Sequence, residues 1–384
     1  MGIVLSIGVL IYLSTQFEFL KKELKNQNIS KYIPFILFIT SGLISSIFSI
    51  EPLRSFKVLF YLFLFVIFSY FLFLILKEKR TDLENILNIF YLSSHFNIFF
   101  VLIYVLLNFS CKNCVPFEGV SSIIENLSLV SVTERFKGFL NIFTLNLIFV
   151  SFLKSNRFNV ITLVCLIPCL ILSNCNTAIF GIILATLVLV FFNILKLKFN
   201  SKTIFTCFLL IGILTFFNLT IYLPKTFEKK EIENFEPVIS TKLFDVHRQF
   251  MWGFSLDQFK KKPLFGFGPD TSNFIKEGQR EIGSKFTGEM FFVSSHPHNF
   301  FIEILLELGI IGTLFFLFFI FYLNYLTLTK CNSKGLNLFI FFNIFFWGTS
   351  LLNFSFWLGW WQASYYFIFS LLAAKFLSSK KLVE

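Results

Sequence analysis

The chain has 384 residues, of which 56% are hydrophobic and 14% charged, with 61 phenylalanines, a mean hydropathy of +0.76 and a formal net charge of +11. Soluble domains carry about 25% charged residues, so this composition excludes a soluble enzyme and specifies a polytopic membrane protein. The positive charge does not by itself point to nucleic acid, because cytoplasmic loops of membrane proteins are basic for orientation.

Taken in chain order, apolar runs long enough to cross a bilayer fall at about 1–17, 32–50, 55–76, 86–109, 138–153, 158–173, 177–195, 203–223, 299–328, 336–352 and 356–376. The expected fold is therefore all-α, with about eleven (11–12) transmembrane helices. Its parts are an N-terminal bundle over 1–223, a large extracytoplasmic loop with short helices over 224–297, and C-terminal spans over 298–384. Basic residues alternate between connections: Lys21, Lys22, Lys25 and Lys31; Lys77, Lys79 and Arg80; Lys154 and Arg157; Lys196, Lys198 and Lys202; Lys330 and Lys334; Lys375, Lys380 and Lys381. These lie on one side, which the positive-inside rule makes cytoplasmic. The eleven-span count then puts the N-terminus outside and the C-terminus inside, and the apolar run that starts at Met1 has no signal-peptide flank.

The long outer segment holds eleven basic and ten acidic residues, too balanced to be a steering surface for a polyanion. Cys111 and Cys114 are spaced to close a local disulfide, or do nothing. The histidines (His95, His247, His296 and His298) have no cysteines or carboxylates at zinc spacing, so no metal site is expected.

Polar residues at or inside the membrane carry the information. The densest group runs Ser-Ser-His296-Pro297-His298-Asn299-Phe-Phe-Ile-Glu303-Ile-Leu-Leu-Glu307-Leu-Gly309-Ile-Ile-Gly312. Pro297 favours a helix start here, with His298 and Asn299 its first residues at the outer interface. Glu303 and Glu307 share one helical face, about two turns into the membrane, either as functional carboxyls or as neutral groups bonded to neighbouring helices. His298 stands as a candidate general base or a structural histidine.

Upstream, Phe244, Arg248, Trp252 and Phe259 fall on one face of an amphipathic helix ended by Pro263, which is expected to lie on the membrane surface. Its Arg248 is either a snorkelling anchor or a clamp on a diphosphate. The Gly266-Phe-Gly268 pair lacks the strand and third glycine of a dinucleotide fingerprint. Arg135 and Lys137 mark the outer entry of the span near 138, and Ser173-Asn-Cys-Asn176-Thr177 makes a tight outer turn.

The run from His298 to Gly312 resembles the H-N-x-x-L-x-x-x-x-E-x-G-x-x-G signature of the bacterial O-antigen ligase and O-antigen polymerase family. Arg248-x-x-x-Trp252 and Pro263-Leu-Phe-Gly266-Phe-Gly268 resemble that family's R-x-x-x-W and P-L-x-G-x-G elements, in the same order. Arg135-Phe-Lys-Gly138 and Ser49-Ile-Glu-Pro52 are weaker matches. The chain departs from the family at 173–177, where Ser-Asn stands for a Ser-Arg pair, and it reads one span short of the usual twelve.

The resemblance implies a metal-independent glycosyltransferase without a cofactor, in the inner membrane with its site on the periplasmic side. The donor would be a glycan on undecaprenyl pyrophosphate. The acceptor would be a hydroxyl of the lipid A core for a ligase, or of another lipid-linked repeat for a polymerase. His298 would be the catalytic base, and Arg248 and Arg135 would bind pyrophosphate, supported by Trp252, Asn299, Glu303 and Glu307. Membrane lipid is a partner and nucleic acid is not. A lipid-linked oligosaccharide transporter is the rival class; it predicts midplane polar residues and an internal repeat, whereas the polar residues here gather at the outer surface.

Overall fold

A computed structural model describes residues 12, 14–25, 29–110, 137–153, 156–194, 222–224, 245–282, 290–331 and 333–377. Among them the regular secondary structure is helical, apart from two isolated bridges, Glu281 with Phe291 and Cys331 with Leu377. The helices are α1 (Phe17–Lys25), α2 (Ile33–Ile47), α3 (Pro52–Glu78), α4 (Arg80–Ser110), α5 (Lys137–Leu153), α6 (Arg157–Leu172), α7 (Asn176–Ile194), α8 (Val246–Phe259), α9 (Phe300–Leu328), α10 (Ser333–Ser350) and α11 (Gly359–Phe376).

Five expected spans are met by helices long and apolar enough to cross a membrane: Ser30–Ile47, Pro52–Glu78, Arg80–Leu106, Asn176–Ile194 and Phe300–Thr327. α5 and α6 are shorter apolar helices, and α10 and α11 cover the last two expected runs. The expected spans at 1–17 and 203–223 fall largely outside the described residues, as do Cys111, Cys114 and Arg135.

The chain forms two compact units: residues 1–71, 197–330 and 350–366, and residues 72–196, 331–349 and 367–384. In the second unit α4, α5 and α6 pack together. His95 of α4 is buried and its Nε2 lies 2.9 Å from Asn159 Oδ1 of α6. Asn156 caps α6 by accepting the Asn159 backbone N–H at 2.9 Å, satisfying one of the free donors of a helix start. A Cβ on Gly181 of α7 would sit 2.6 Å from Thr349 Cγ2 of α10, the close backbone approach that small residues permit between membrane helices.

The first unit is organised by α9, which packs on α2 and α8. Phe38 of α2 meets Phe316 and Phe319 of α9 at ring centroid distances of 5.5 and 6.0 Å. α9 is broken at Gly309, whose φ of 67° and ψ of −171° are not helical. The loop over Pro263–Gly268 enters this break. Phe267 and Gly268 donate backbone N–H to the Leu306 and Glu307 carbonyls at 3.1 and 2.8 Å, and Ile310 and Ile311 donate to Pro263 and Leu264 at 2.9 and 3.3 Å. Ser45 of α2 adds its hydroxyl within 2.6 Å of the Phe265 carbonyl and 2.9 Å of the Glu307 carbonyl. The Leu306 and Glu307 carbonyls and the Ile310 and Ile311 N–H groups at the break thus find partners, the condition for irregular backbone in a membrane protein.

The break also divides the surroundings of α9. Residues 302–309 are all buried, whereas Ile310, Leu314 and Phe318, at four-residue spacing, form an exposed apolar stripe of the kind that faces lipid. The sequence placed Glu303 and Glu307 two turns inside the membrane; they sit in a half-helix enclosed by protein.

α8 forms over the expected residues, opening at Asp245, whose carboxylate accepts the His247 backbone N–H at 3.2 Å, and ending before Pro263. Its environment differs from a helix lying on a membrane surface. Ten of its residues are buried, among them Gln249, Phe250, Trp252, Gly253 and Gln258. It packs between Phe267, Ile282, Phe292 and Leu306 on one side and Ile302 and Leu305 on the other. Gly253 permits this, because a Cβ there would lie 2.4 Å from the Pro224 carbonyl oxygen.

Candidate active site

The site lies in the first unit, where α8 and the start of α9 bring together the sequence-predicted residues Arg248, Trp252, His298, Asn299, Glu303 and Glu307. Asn299 is the N-cap of α9, its Oδ1 accepting the Phe301 and Ile302 backbone N–H groups at 3.1 Å each. His298 precedes the helix with φ of 52°, in the left-handed region, which costs a non-glycine residue on the order of 1–3 kcal/mol. Two contacts hold that turn: the His298 backbone N–H donates to His296 Nδ1 at 3.0 Å, and the Trp252 indole N–H donates to the Pro297 carbonyl at 2.8 Å. Trp252 therefore points at the histidine turn from a buried position, and not toward lipid as an amphipathic surface helix would have it.

The His298 ring is oriented from its far side. Its Nδ1 lies 3.0 Å from the Asn353 carbonyl oxygen, which can only accept, so Nδ1 carries the proton and Nε2 keeps its lone pair. The His296 and His298 rings are 4.1 Å apart. Burial lowers the His298 pKa below the usual histidine value; the Asn353 contact opposes this, and the charges of Arg248 and His247 add to the lowering. His296 falls to about 3, through burial first and then His298 and Arg248. Both imidazoles are neutral at pH 7.

Arg248 is half-buried, and burial lowers its pKa against the pull of Asp245, though a guanidinium remains a cation. Among the described residues no hydrogen bond or ion pair occupies it. Its charge reaches both His296 and His298. The result is a half-buried cation whose charge acts on an imidazole with a free lone pair.

The two glutamates are structural anchors with different partners. Glu303 accepts the Ser355 hydroxyl and the Phe356 backbone N–H, both at 2.6 Å. Glu307 accepts the backbone N–H groups of Asp270, Thr271 and Ser272 at 2.7, 2.9 and 2.8 Å, and the Trp357 indole N–H. The loop it gathers is held from outside by Arg54, which pairs with Asp270 at 2.7 Å and lies over the Phe274 ring at 5.0 Å. Burial raises the Asp270 pKa, and Arg54 pulls it back down. Ser55 donates to the Pro269 carbonyl at 2.9 Å, so the Ser49 hydroxyl, 2.8 Å away, donates to Ser55.

Asn353, Ser355, Trp357, Arg54 and Asp270 were not legible as site residues from sequence. Asn353 and Ser355 stand between two apolar runs, which is a signal, and Trp357 lies just inside the second, but their partners lie about 50 residues away in the chain. In the second unit the structure joins two other motifs: the Asn141 amide donates to Cys175 Sγ at 3.4 Å and Thr177 Oγ1 at 3.2 Å. Among the described residues no three or more His, Cys, Asp or Glu side chains stand where a metal could be held.

Residues 161–317 match a family model described as O-antigen ligase. The resemblance is to the O-antigen ligase family. The matched residues include Arg248, Trp252, the Pro263–Gly268 loop, His298 and Glu307. Among curated proteins, one from Rickettsia conorii is 30% identical over 166 residues, covering 42% of this chain and 39% of its own length. One from Rickettsia felis is 28% identical over 166 residues, covering 42% and 40%, and one from Rickettsia typhi is 29% identical over 131 residues, covering 34% and 32%. All three carry the provisional name of polysaccharide ligase. The chain spans about two fifths or less of the length of these relatives. No solved structure matches the chain at a significant level.

Proposed function

We propose that the protein is a ligase that moves a glycan from undecaprenyl pyrophosphate to an acceptor sugar hydroxyl, such as one on the lipid A core, at the periplasmic face of the inner membrane. The observation that carries this is the half-buried Arg248 guanidinium whose charge acts on His298, together with the unprotonated Nε2 of that histidine. The name carried by the relatives favours ligation over repeat-unit polymerisation.

In the proposed step the acceptor oxygen attacks the anomeric carbon as its proton passes to His298 Nε2, and the bond from that carbon to the pyrophosphate oxygen breaks. Undecaprenyl pyrophosphate leaves with the bonding electron pair. A pyrophosphate is already a stable anion, so charge stabilisation serves it better than a proton, and a planar five-donor guanidinium is suited to that. Arg248 supplies it. The lowered pKa of His298 keeps it unprotonated at neutral pH, as a base must be.

The test is donor binding. Arg248→Lys keeps the charge but loses the bidentate geometry, so affinity for undecaprenyl pyrophosphate in detergent should fall on the order of tenfold or more, the weight of about 1.4 kcal/mol. Unchanged affinity in Arg248→Lys and Arg248→Ala would remove Arg248 from the site.

A further inference from the structure

His298 is held by a turn that belongs to neither α8 nor α9, and that turn is itself held by Glu303. The Asn353 carbonyl accepts His298 Nδ1–H, and two and three residues on, Ser355 and Phe356 donate to the two oxygens of Glu303. Ser355 also accepts the Trp357 backbone N–H at 3.1 Å, so its hydroxyl hydrogen is committed to Glu303. Glu303 is fully buried, one helical turn past the N-cap Asn299, and its backbone N–H donates to the Asn299 carbonyl at 2.9 Å. One rigid half-helix therefore carries the cap that ends at the histidine and the carboxylate that grips the histidine's partner.

We propose that Glu303 is a positioning residue: by clamping the Asn353–Phe356 turn it fixes His298 in the Nδ1–H form and makes Nε2 the atom that takes the acceptor's proton. The tautomer of a histidine is set by the bond its other nitrogen makes, and here that bond is to a backbone carbonyl whose place depends on Glu303. With the turn displaced, no other group among the described residues holds the proton on Nδ1. The groups facing His298 from the packed elements are Arg248 and His247 on α8, His296 in its own turn and the Asn353 carbonyl. The role of Nε2 in catalysis rests on the proposed glycan transfer; the clamp does not.

Nitrogen-15 spectra of protein labelled at histidine test the clamp directly, since the chain has four histidines and each can be assigned by replacement. His298 should show a protonated Nδ1 and an unprotonated Nε2 in the wild type. Glu303→Gln puts an amide NH2 against one of two donors, so the His298 signals should move toward a mixture of tautomers. Ser355→Ala, which removes a single hydroxyl, should shift them in the same sense, and Ser355→Thr should restore them. In a transfer assay kcat should fall on the order of 10- to 100-fold in Glu303→Gln with KM little changed, as for other outer partners of functional side chains. An Nε2–H form in the wild type, or an unaltered Nδ1–H form in both Glu303→Gln and Ser355→Ala, would overturn the clamp. A tautomer shift with unchanged kcat would overturn the assignment of His298 as base and leave the clamp standing, so the two failures are separable.

Discussion

His298 combines an uncommon backbone conformation with an uncommonly placed side chain. Three non-glycine residues among those described have positive φ, and two of them, Asp270 and His298, belong to the site. Any L side chain at 298 pays the conformational cost that glycine avoids. His298→Gly should therefore melt higher than His298→Ala, by the equivalent of about 1 kcal/mol, with both inactive. Equal melting temperatures would mean that the turn relaxes once the imidazole is gone. The sequence already singled out His298, Arg248 and Asn299 from residue type and position. It could not yield Asn353, because the functional group there is a backbone carbonyl, which no side-chain identity encodes. Arg54 and Asp270 were equally hidden: a lone arginine after an outer turn and a lone aspartate after Gly268 pair across more than 200 residues.

At the level of elements, the Pro263–Gly268 loop and the Glu307–Gly309 segment explain one another. A Cβ on Gly309 would stand 2.3 Å from the Leu264 carbonyl oxygen, and one on Gly266 would stand 2.3 Å from the Glu307 carbonyl carbon, both at positive φ. The obstacle in each case is backbone, which cannot rotate away. Gly309→Ala should thus expel the loop from the break in α9, costing several kcal/mol by strain and lost hydrogen bonds, and lower the thermal stability in detergent far more than Gly359→Ala, whose Cβ would meet only the Phe65 ring at 3.6 Å. Comparable losses for the two would argue against the inserted loop. Periodicity found α8 and its end, but misjudged its setting. An aromatic stripe reads as a lipid-facing surface when the polar residues opposite are expected to meet water; here Gln249, Ser255 and Gln258 are buried too, because the loop and α9 cover them. In α9 the sequence read a single continuous span, since a lone glycine in an apolar run is tolerated in helices and gives no sign of a loop arriving from about 40 residues upstream.

For the whole molecule, we propose from the alternation of basic connections an orientation with residues 224–297 extracytoplasmic and the C-terminus cytoplasmic. Reporter fusions or cysteine labelling at Lys242 and Lys381 should report opposite sides of the membrane, and the same side for both would reverse the placing of the site. The membrane-spanning character was plain from composition and from runs such as Pro52–Glu78. The division into two compact units was not, since it joins segments distant in sequence, residues 1–71 with 197–330 and 350–366, and apolar runs carry little information about which helix packs on which. His298, Arg248 and Glu303 all lie in one compact unit, and the proposed proton transfer depends on His298. The decisive measurement is glycan transfer by purified His298→Ala with lipid-linked donor and acceptor across pH 5 to 8. A base at His298 predicts a loss on the order of 10²- to 10⁴-fold, with wild-type activity level around neutrality and falling in acid as His298 protonates. Transfer by His298→Ala near the wild-type rate would contradict it.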